Sequence, residues 1–180
     1  MIKAIAPPPS HPGIRTAFTS YYLPHNITPG SGVTAFVANV IYYHLFFLGP
    51  AVVDRIGVEI TTGAAGAARL GLYANNNGMP GALIRDCGTV DTSSNAIVEA
   101  SFTALTLPND WFWAAVISDS TAGCRAGAIG PSSPLGNPTL SNGSARGLSR
   151  TSVTYGVLAD PAPVPTAFST AMPLISLRKS

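Results

Sequence analysis

The chain has 180 residues, of which 46% are hydrophobic and only 10% are Asp, Glu, Lys or Arg, against about 25% charged residues in a typical soluble domain. Its basic residues stand singly except for Arg178 and Lys179, so it lacks the basic stripe that is typical of nucleic-acid-binding proteins. The longest apolar run, Val40 to Leu48, is interrupted by two tyrosines and a histidine and is shorter than the roughly 18 residues that a membrane span requires.

A surface with few charges indicates a protein that packs against copies of itself or against other proteins. The alternative is a monomer whose surface consists mostly of Ser, Thr and Asn side chains. The first ten residues lack the apolar run of a signal peptide, which predicts synthesis in a cytoplasm.

Residues 1–32 are expected to form an extended N-terminal arm. They contain three consecutive prolines, Pro7 to Pro9, and three further prolines, which cannot donate hydrogen bonds to a β-ladder and favour polyproline-like backbone. The β-sandwich domain is therefore predicted to span residues 33–180.

Short runs of β-branched and aromatic residues follow, separated by Gly and Pro, and no window keeps a helical period. Residues 33–48 predict one long strand, or two strands joined by a kink near Ala38 and Asn39. Residues 53–61 alternate cleanly, which places Ile56, Val58 and Ile60 on one face.

Residues 68–74 predict a strand with Leu70 and Leu72 directed inward. Asn75 to Gly78 is a hairpin signal, because Asn and Gly tolerate positive φ. Further strands are predicted at the ranges 83–90, 98–104 and 111–118.

Residues 130–149 are rich in Pro, Ser, Gly and Asn and predict a long loop that is functional or contacts a partner. Strands are expected after it at residues 151–158 and 174–178. A strand that returns after a long excursion is typical of Greek-key topology. The sequence therefore predicts an all-β fold, a jelly-roll-like antiparallel β-sandwich with an extended Pro-rich N-terminal arm.

No cofactor, metal or catalytic site is predicted. The three histidines lack the spacing of a metal site and no CxxC motif is present; His44 is interpreted as a core or interface residue. The eight carboxylates are interpreted as solvated or ion-paired. Cys87 and Cys124 are expected to be two buried thiols, with one disulfide as the alternative.

Four aromatic residues are the candidate binding residues. Tyr21 and Tyr22 in the arm are candidate partner anchors, because aromatic side chains hold extended segments in grooves. Trp111 and Trp113 share one face of a strand, with Phe112 opposite. These two tryptophans are interpreted as core or interface residues or as a surface that stacks on a sugar ring.

The segments VDRIGVEITTGAAGAARLGLYANNNGMPGALIRDCGTVD and LTLPNDWFWAAVISDS resemble a β-sandwich module of bacteriophage fibre and tail proteins. The module has a strand of the type "drIgv-v", an Asn/Gly/Pro-Gly hairpin and a closing "Leu-x-Pro-x-x-x-Trp" strand. The matching part covers about two-fifths of the chain, and Asn109 and Asp110 stand where a glycine usually follows the proline. The resemblance implies a virion component and carries over no catalytic residue.

The leading hypothesis is therefore a non-enzymatic phage virion structural protein. It would be a homotrimeric tail, fibre or capsid-decoration component that docks onto other virion proteins through its N-terminal arm. The alternative is a carbohydrate-binding module that recognises a host surface glycan. A small hydrolase is a third hypothesis, and it requires two carboxylates that converge in one cleft.

Overall fold

The computed structural model describes residues 21–25, 27–48, 50–129, 147–169 and 172–180. None of these residues is helical. They form the strands β1 (Tyr21–Tyr22), β2 (Ile27–Ala35), β3 (Ile41–Leu48), β4 (Ala51–Thr62), β5 (Ala67–Asn76), β6 (Met79–Asp91), β7 (Ala96–Leu107), β8 (Asp110–Ser118), β9 (Gly123–Ile129), β10 (Gly147–Arg150), β11 (Ala167–Ser169) and β12 (Ile175–Lys179).

Eight consecutive strands pair like one long hairpin. β5 pairs with β6, β4 with β7, β3 with β8 and β2 with β9, each time antiparallel. The hairpin is rolled into a first sheet ordered β2-β9-β4-β7 and a second sheet ordered β3-β8-β5-β6. This nested pairing over two sheets is the jelly roll, so the predicted jelly-roll-like β-sandwich is confirmed.

Four further strands extend the two sheets. β12 and β9 pair with the same edge of β4, one after the other: β12 pairs with residues 53–58 of β4, and β9 pairs with Ile60 and Thr62. β1 pairs with β12 in the first sheet, and β10 and β11 extend the second sheet beyond β3. The first sheet therefore ends in two edge strands on this side, β1 and β2.

The main core lies between the two sheets and follows the predicted alternation. Ile56, Val58 and Ile60 of β4 and Leu70 and Leu72 of β5 are all at most 2% exposed and belong to one apolar cluster. His44 is also fully buried, and its Nε2 lies 2.7 Å from the carbonyl oxygen of Pro173. The interpretation of His44 as a core residue is therefore confirmed.

Two turns occur where asparagine and glycine indicated them. Asn39 has a φ of 61° and separates β2 from β3, so the range 33–48 is two strands that belong to different sheets. Asn77 and Gly78 have φ values of 51° and 86°, which give the hairpin between β5 and β6 its tight turn.

The segment 151–166, here called the strap, was predicted to begin with a strand at 151–158, and this prediction is wrong. The strap contains no strand and lies across the outer face of the second sheet. Its Leu158 and Ala162 are buried in a second apolar cluster together with Tyr43, Tyr73 and Trp113. The strap connects β10 to β11, which pair with each other at the edge of the second sheet.

Hydrogen bonds hold the strap on the sheet. The hydroxyl of Tyr73 donates to the carbonyl oxygen of Ala159 at 3.0 Å, and that of Tyr43 donates to Pro163 at 3.1 Å. In the other direction, the Asp160 carboxylate accepts the amide of Leu83 at 2.9 Å. Partners therefore satisfy the polar ends of two aromatic residues that the strap buries.

The predicted boundary at residue 32 lies too late in the chain. Residues 21–22 and 27–32 belong to β1 and β2, and Tyr22 and Ile27 are each only 7% exposed. Pro29 is accommodated because β2 is an edge strand with an irregular register between Pro29 and Val33, where a missing donor costs little. Residues 1–20 of the predicted arm lie outside the described residues.

The predicted loop 130–149 is described only in its last three residues. Residues 147–149 belong to β10, which pairs with both β3 and β11. The range 130–146 lies outside the described residues, so the predicted contact of this loop with a partner stays a prediction.

Both cysteines are buried and unpaired, as expected. Burial raises the pKa of the Cys87 and Cys124 thiols to about 12. At pH 8 the reactive thiolate is then about one part in ten thousand. We expect neither thiol of the folded protein to react with a thiol-specific reagent at pH 8, and both to react in denaturant. A chromogenic thiol assay measures this, and one reactive equivalent in the native state would contradict the packing at that cysteine.

Candidate functional site

The outer face of the first sheet brings together charged residues that are far apart in sequence. Arg55 of β4 contacts Glu99 of β7 at 3.4 Å, because the antiparallel register places these strands side by side. Arg178 of β12 lies 3.7 Å from Glu99 and 3.8 Å from Asp54. The charges on this part of the face are therefore balanced among themselves.

Arg125 and Glu59 form a second ion pair on the same face. The guanidinium donates from Nε to Oε2 at 3.0 Å and from NH2 to Oε1 at 2.6 Å, which is the two-point geometry that suits arginine and a carboxylate. The hydrogen bond from Arg125 lowers the pKa of Glu59 below its ordinary value of 4.5. The pair lies on the boundary between two depressions of the surface.

One depression is an apolar groove, here called the Tyr21 groove. Its volume is about 270 Å³, and it is lined by Tyr21, Leu23, Val58, Glu59, Ile97, Arg125, Leu174 and Ser176. Ile97 is 67% exposed and Tyr21 is 39% exposed. The adjoining depression, of about 330 Å³, shares Glu59, Ile97 and Arg125 and adds the polar side chains of Thr61 and Asn95. An apolar groove beside a polar rim is a candidate binding surface.

The Glu59–Arg125 pair gives the surface a testable pH dependence. Because the pKa of Glu59 is lower in the folded protein, the pair stabilises the fold above about pH 4.5, and this contribution is lost as the pH falls through the lowered pKa. We expect Glu59→Gln to cost below about 1 kcal/mol at neutral pH, since the pair is partly exposed.

The same variant should lose less stability than the native chain on acidification. Urea unfolding at about pH 6 and at about pH 3 measures the difference. Arg125→Gln is the matched control and should give the same flattened profile. Parallel pH profiles of native chain and Glu59→Gln would contradict the assigned pKa shift.

A second candidate surface is the aromatic cluster, defined as His25, Phe47 and Trp111. The rings of His25 and Trp111 meet edge to face at a centroid distance of 5.1 Å, and those of Phe47 and Trp111 lie 4.8 Å apart. All three side chains are partly buried. This cluster therefore keeps some aromatic surface accessible beside the end of the second sheet.

The structure separates the two tryptophans that the sequence grouped. They share one face, as predicted, since both belong to the second apolar cluster and Phe112 belongs to the main core. Trp113 is fully buried and its Nε1 donates to Oδ1 of Asn75 at 3.0 Å, which leaves no ring face for a sugar. Only Trp111 retains partial exposure.

The two tyrosines also differ. Tyr21 lines the Tyr21 groove and remains available to a partner, whereas the Tyr22 side chain belongs to the main core of its own chain. Ile97 was missed by the sequence reasoning. The alternation in β7 could have indicated it, because Val98 and Ala100 are directed inward and Ile97 is therefore directed outward. The register places Ile97 opposite Glu59 on the charged outer face.

Each of the eight carboxylates has a partner within the fold. Besides the pairs above, Asp86 accepts hydrogen bonds from Arg69, Asp91 from Ser93, Asp110 from the Trp111 amide, Asp119 from the Ala67 amide and Asp160 from the Leu83 amide. Asp54 and Glu99 approach each other through Arg178 and do not line either depression. The described residues contain no group of three potential metal ligands.

Comparison with models of known protein families, with curated proteins and with solved structures found no match for this chain. Within the described ranges, no helix has the length and apolar character needed to cross a membrane. The candidate surfaces therefore rest on the geometry of this chain alone.

Proposed function

We propose that this chain is a phage virion structural protein that assembles as a homotrimer in a tail, a fibre or a capsid decoration. In this function it contacts other virion proteins, binds neither nucleic acid nor a membrane, and catalyses no reaction. The observation that carries the proposal is the difference between the two outer sheet faces. The strap covers the second sheet, while among the described residues the first sheet keeps an open apolar groove next to Ile97.

Three further features support this assignment. The charges on the first sheet pair with one another, so the face can be covered without leaving an unpaired ion. Only 10% of the residues are charged, which suits a subunit surrounded by neighbours. Jelly rolls occur in viral capsid proteins and in lectins, and the resemblance of the range 53–125 to phage fibre modules favours the virion.

Light scattering of the native protein tests the proposal. We expect a mass three times that of the 18.5 kDa chain. A second protein that begins at Tyr21 should assemble less or not at all, and it keeps Tyr22 and Ile27 in place because both are core residues. A monomeric full-length protein at all concentrations overturns the proposal.

The aromatic cluster favours carbohydrate binding as a second candidate function. Partly exposed tryptophan rings stack on sugar rings, and Asp110, which is exposed, lies next to Trp111 in the chain. If this function applies, Trp111→Ala should weaken binding on a glycan array by about tenfold. Val164→Ala, an exposed change on the strap, is the control. Absence of any bound glycan for the native protein would remove this candidate.

A further inference from the structure

The Tyr21 groove has the chemistry of a site for a Pro-rich segment. Its walls are mostly apolar, and Tyr21 supplies an exposed aromatic ring. Polyproline segments bind to aromatic-lined grooves through side-chain contacts, because proline has no amide hydrogen to add to a sheet edge. A Pro-rich ligand therefore fits this surface better than an additional β-strand does.

The chain itself contains such a segment in residues 1–20. This range has four prolines, the basic residues Lys3 and Arg15, and no acidic residue. Pro9 and Pro12 are three residues apart, and three residues make one turn of polyproline II. In that conformation both rings lie on the same side, where they can enter one groove together.

The direction of β1 indicates which copy supplies the segment. β1 is antiparallel to β12, with Tyr21 opposite Arg178 and Tyr22 opposite Leu177. Followed backwards from Tyr22 to Tyr21, the chain therefore runs toward the carboxyl end of β12. This direction leads away from Leu174 and Ser176, which line the groove. A segment that precedes β1 in the same chain would have to reverse its direction to enter the groove.

A segment from a neighbouring copy needs no such reversal. Twenty residues of polyproline II span about 60 Å, about one and a half times the roughly 40 Å length of the 12-residue strand β4. We propose that the Tyr21 groove binds the Pro-rich segment 1–20 of a second copy of this chain. This inference rests on the proposed assembly and identifies the contact that joins neighbouring copies.

Disulfide trapping in the full chain tests the inference. Two versions with different tags are produced together, one with Ile97→Cys at the rim of the groove and one with Ser10→Cys between the two prolines. We expect a disulfide-linked pair that carries both tags after mild oxidation. Cys87 and Cys124 do not compete, because both are buried.

The matched control replaces Val157 instead of Ile97. Val157 is 77% exposed but lies on the strap, on the opposite side of the sandwich, so Val157→Cys should trap no more than a background amount. Equal trapping at both positions overturns the inference. So does a chain carrying both Ile97→Cys and Ser10→Cys that forms its disulfide only within itself.

Light scattering of the same samples distinguishes failure of the proposed contact from failure of the proposed assembly. An assembled protein that shows no trapping at Ile97 overturns the contact and leaves the proposed function standing, whereas a monomeric protein overturns both. In addition, Ile97→Asp should raise the concentration of half-assembly about tenfold or more, because it places a charge in an apolar contact. Val157→Asp should leave that concentration unchanged.

Discussion

Replacement of Trp113 by alanine is expected to lower the free energy of unfolding by about 3–5 kcal/mol. The ring is fully buried between the second sheet and the strap, and its Nε1 donates to Asn75 at 3.0 Å. The substitution leaves a large cavity and removes one of the two hydrogen bonds that Asn75 Oδ1 accepts, the other coming from the Gly78 amide at 3.2 Å. Because domains of this size are stable by only about 5–15 kcal/mol, a substantial fraction of the stability would be lost. Urea unfolding followed by circular dichroism measures the change.

Trp111→Ala is the matched control for this prediction. Trp111 lies on the same face of β8 but is only partly buried, so its replacement should cost less than half as much. Equal losses for the two variants would contradict the different environments that the structure assigns to them. A loss below about 1 kcal/mol for Trp113→Ala would contradict its burial under the strap.

Asp86→Ala is expected to cost about 2–3 kcal/mol and to loosen the strap. Both carboxylate oxygens of Asp86 lie 2.9 Å from Arg69 Nε, which donates to them. The carboxylate also accepts hydrogen bonds from the amides of Gly88 at 3.0 Å and Leu158 at 3.1 Å. Its side chain is only 18% exposed, so water replaces these contacts poorly. Unfolding in urea and hydrogen exchange at the Leu158 amide measure the two effects.

The control for the strap prediction is Asp91→Ala in the same strand. Asp91 is exposed, and its bonds are local, to the amide and hydroxyl of Ser93. This variant should leave exchange at the Leu158 amide unchanged. If both variants accelerate that exchange equally, Asp86 is not the residue that holds the strap.

Several elements of the fold could be predicted because their signals are local. The alternation of Ile56, Val58 and Ile60 defined a buried face without knowledge of its neighbours, since successive side chains in a strand point to opposite sides. The turn at Asn77 and Gly78 follows from the tolerance of these residues for positive φ. The class of fold followed from the spacing of such signals along the chain.

The strap could not be predicted in the same way. Val153, Tyr155 and Val157 carry the alternating apolar pattern of a strand, yet Val153 and Tyr155 pack on a sheet face and Val157 is exposed. An alternating apolar pattern indicates that side chains on one face are buried, but it does not indicate whether the backbone forms hydrogen bonds with a neighbouring strand. The strap connects β10 to β11, which pair with each other in the second sheet, and this pairing cannot be predicted from the residues of the strap.

The amino-acid sequence by itself determined approximately where β3 to β8 and β12 lie, which side chains of β4 and β5 face inward, and that no helix interrupts the described β-structure. Only the tertiary structure decided which tryptophan is accessible, which tyrosine lines a groove and which arginine neutralises Glu59. These properties depend on contacts between residues far apart in the chain, such as Arg125 and Glu59. The periodicity of one strand shows which of its side chains share a face. Which residues cover that face depends on the other strands that pack around it.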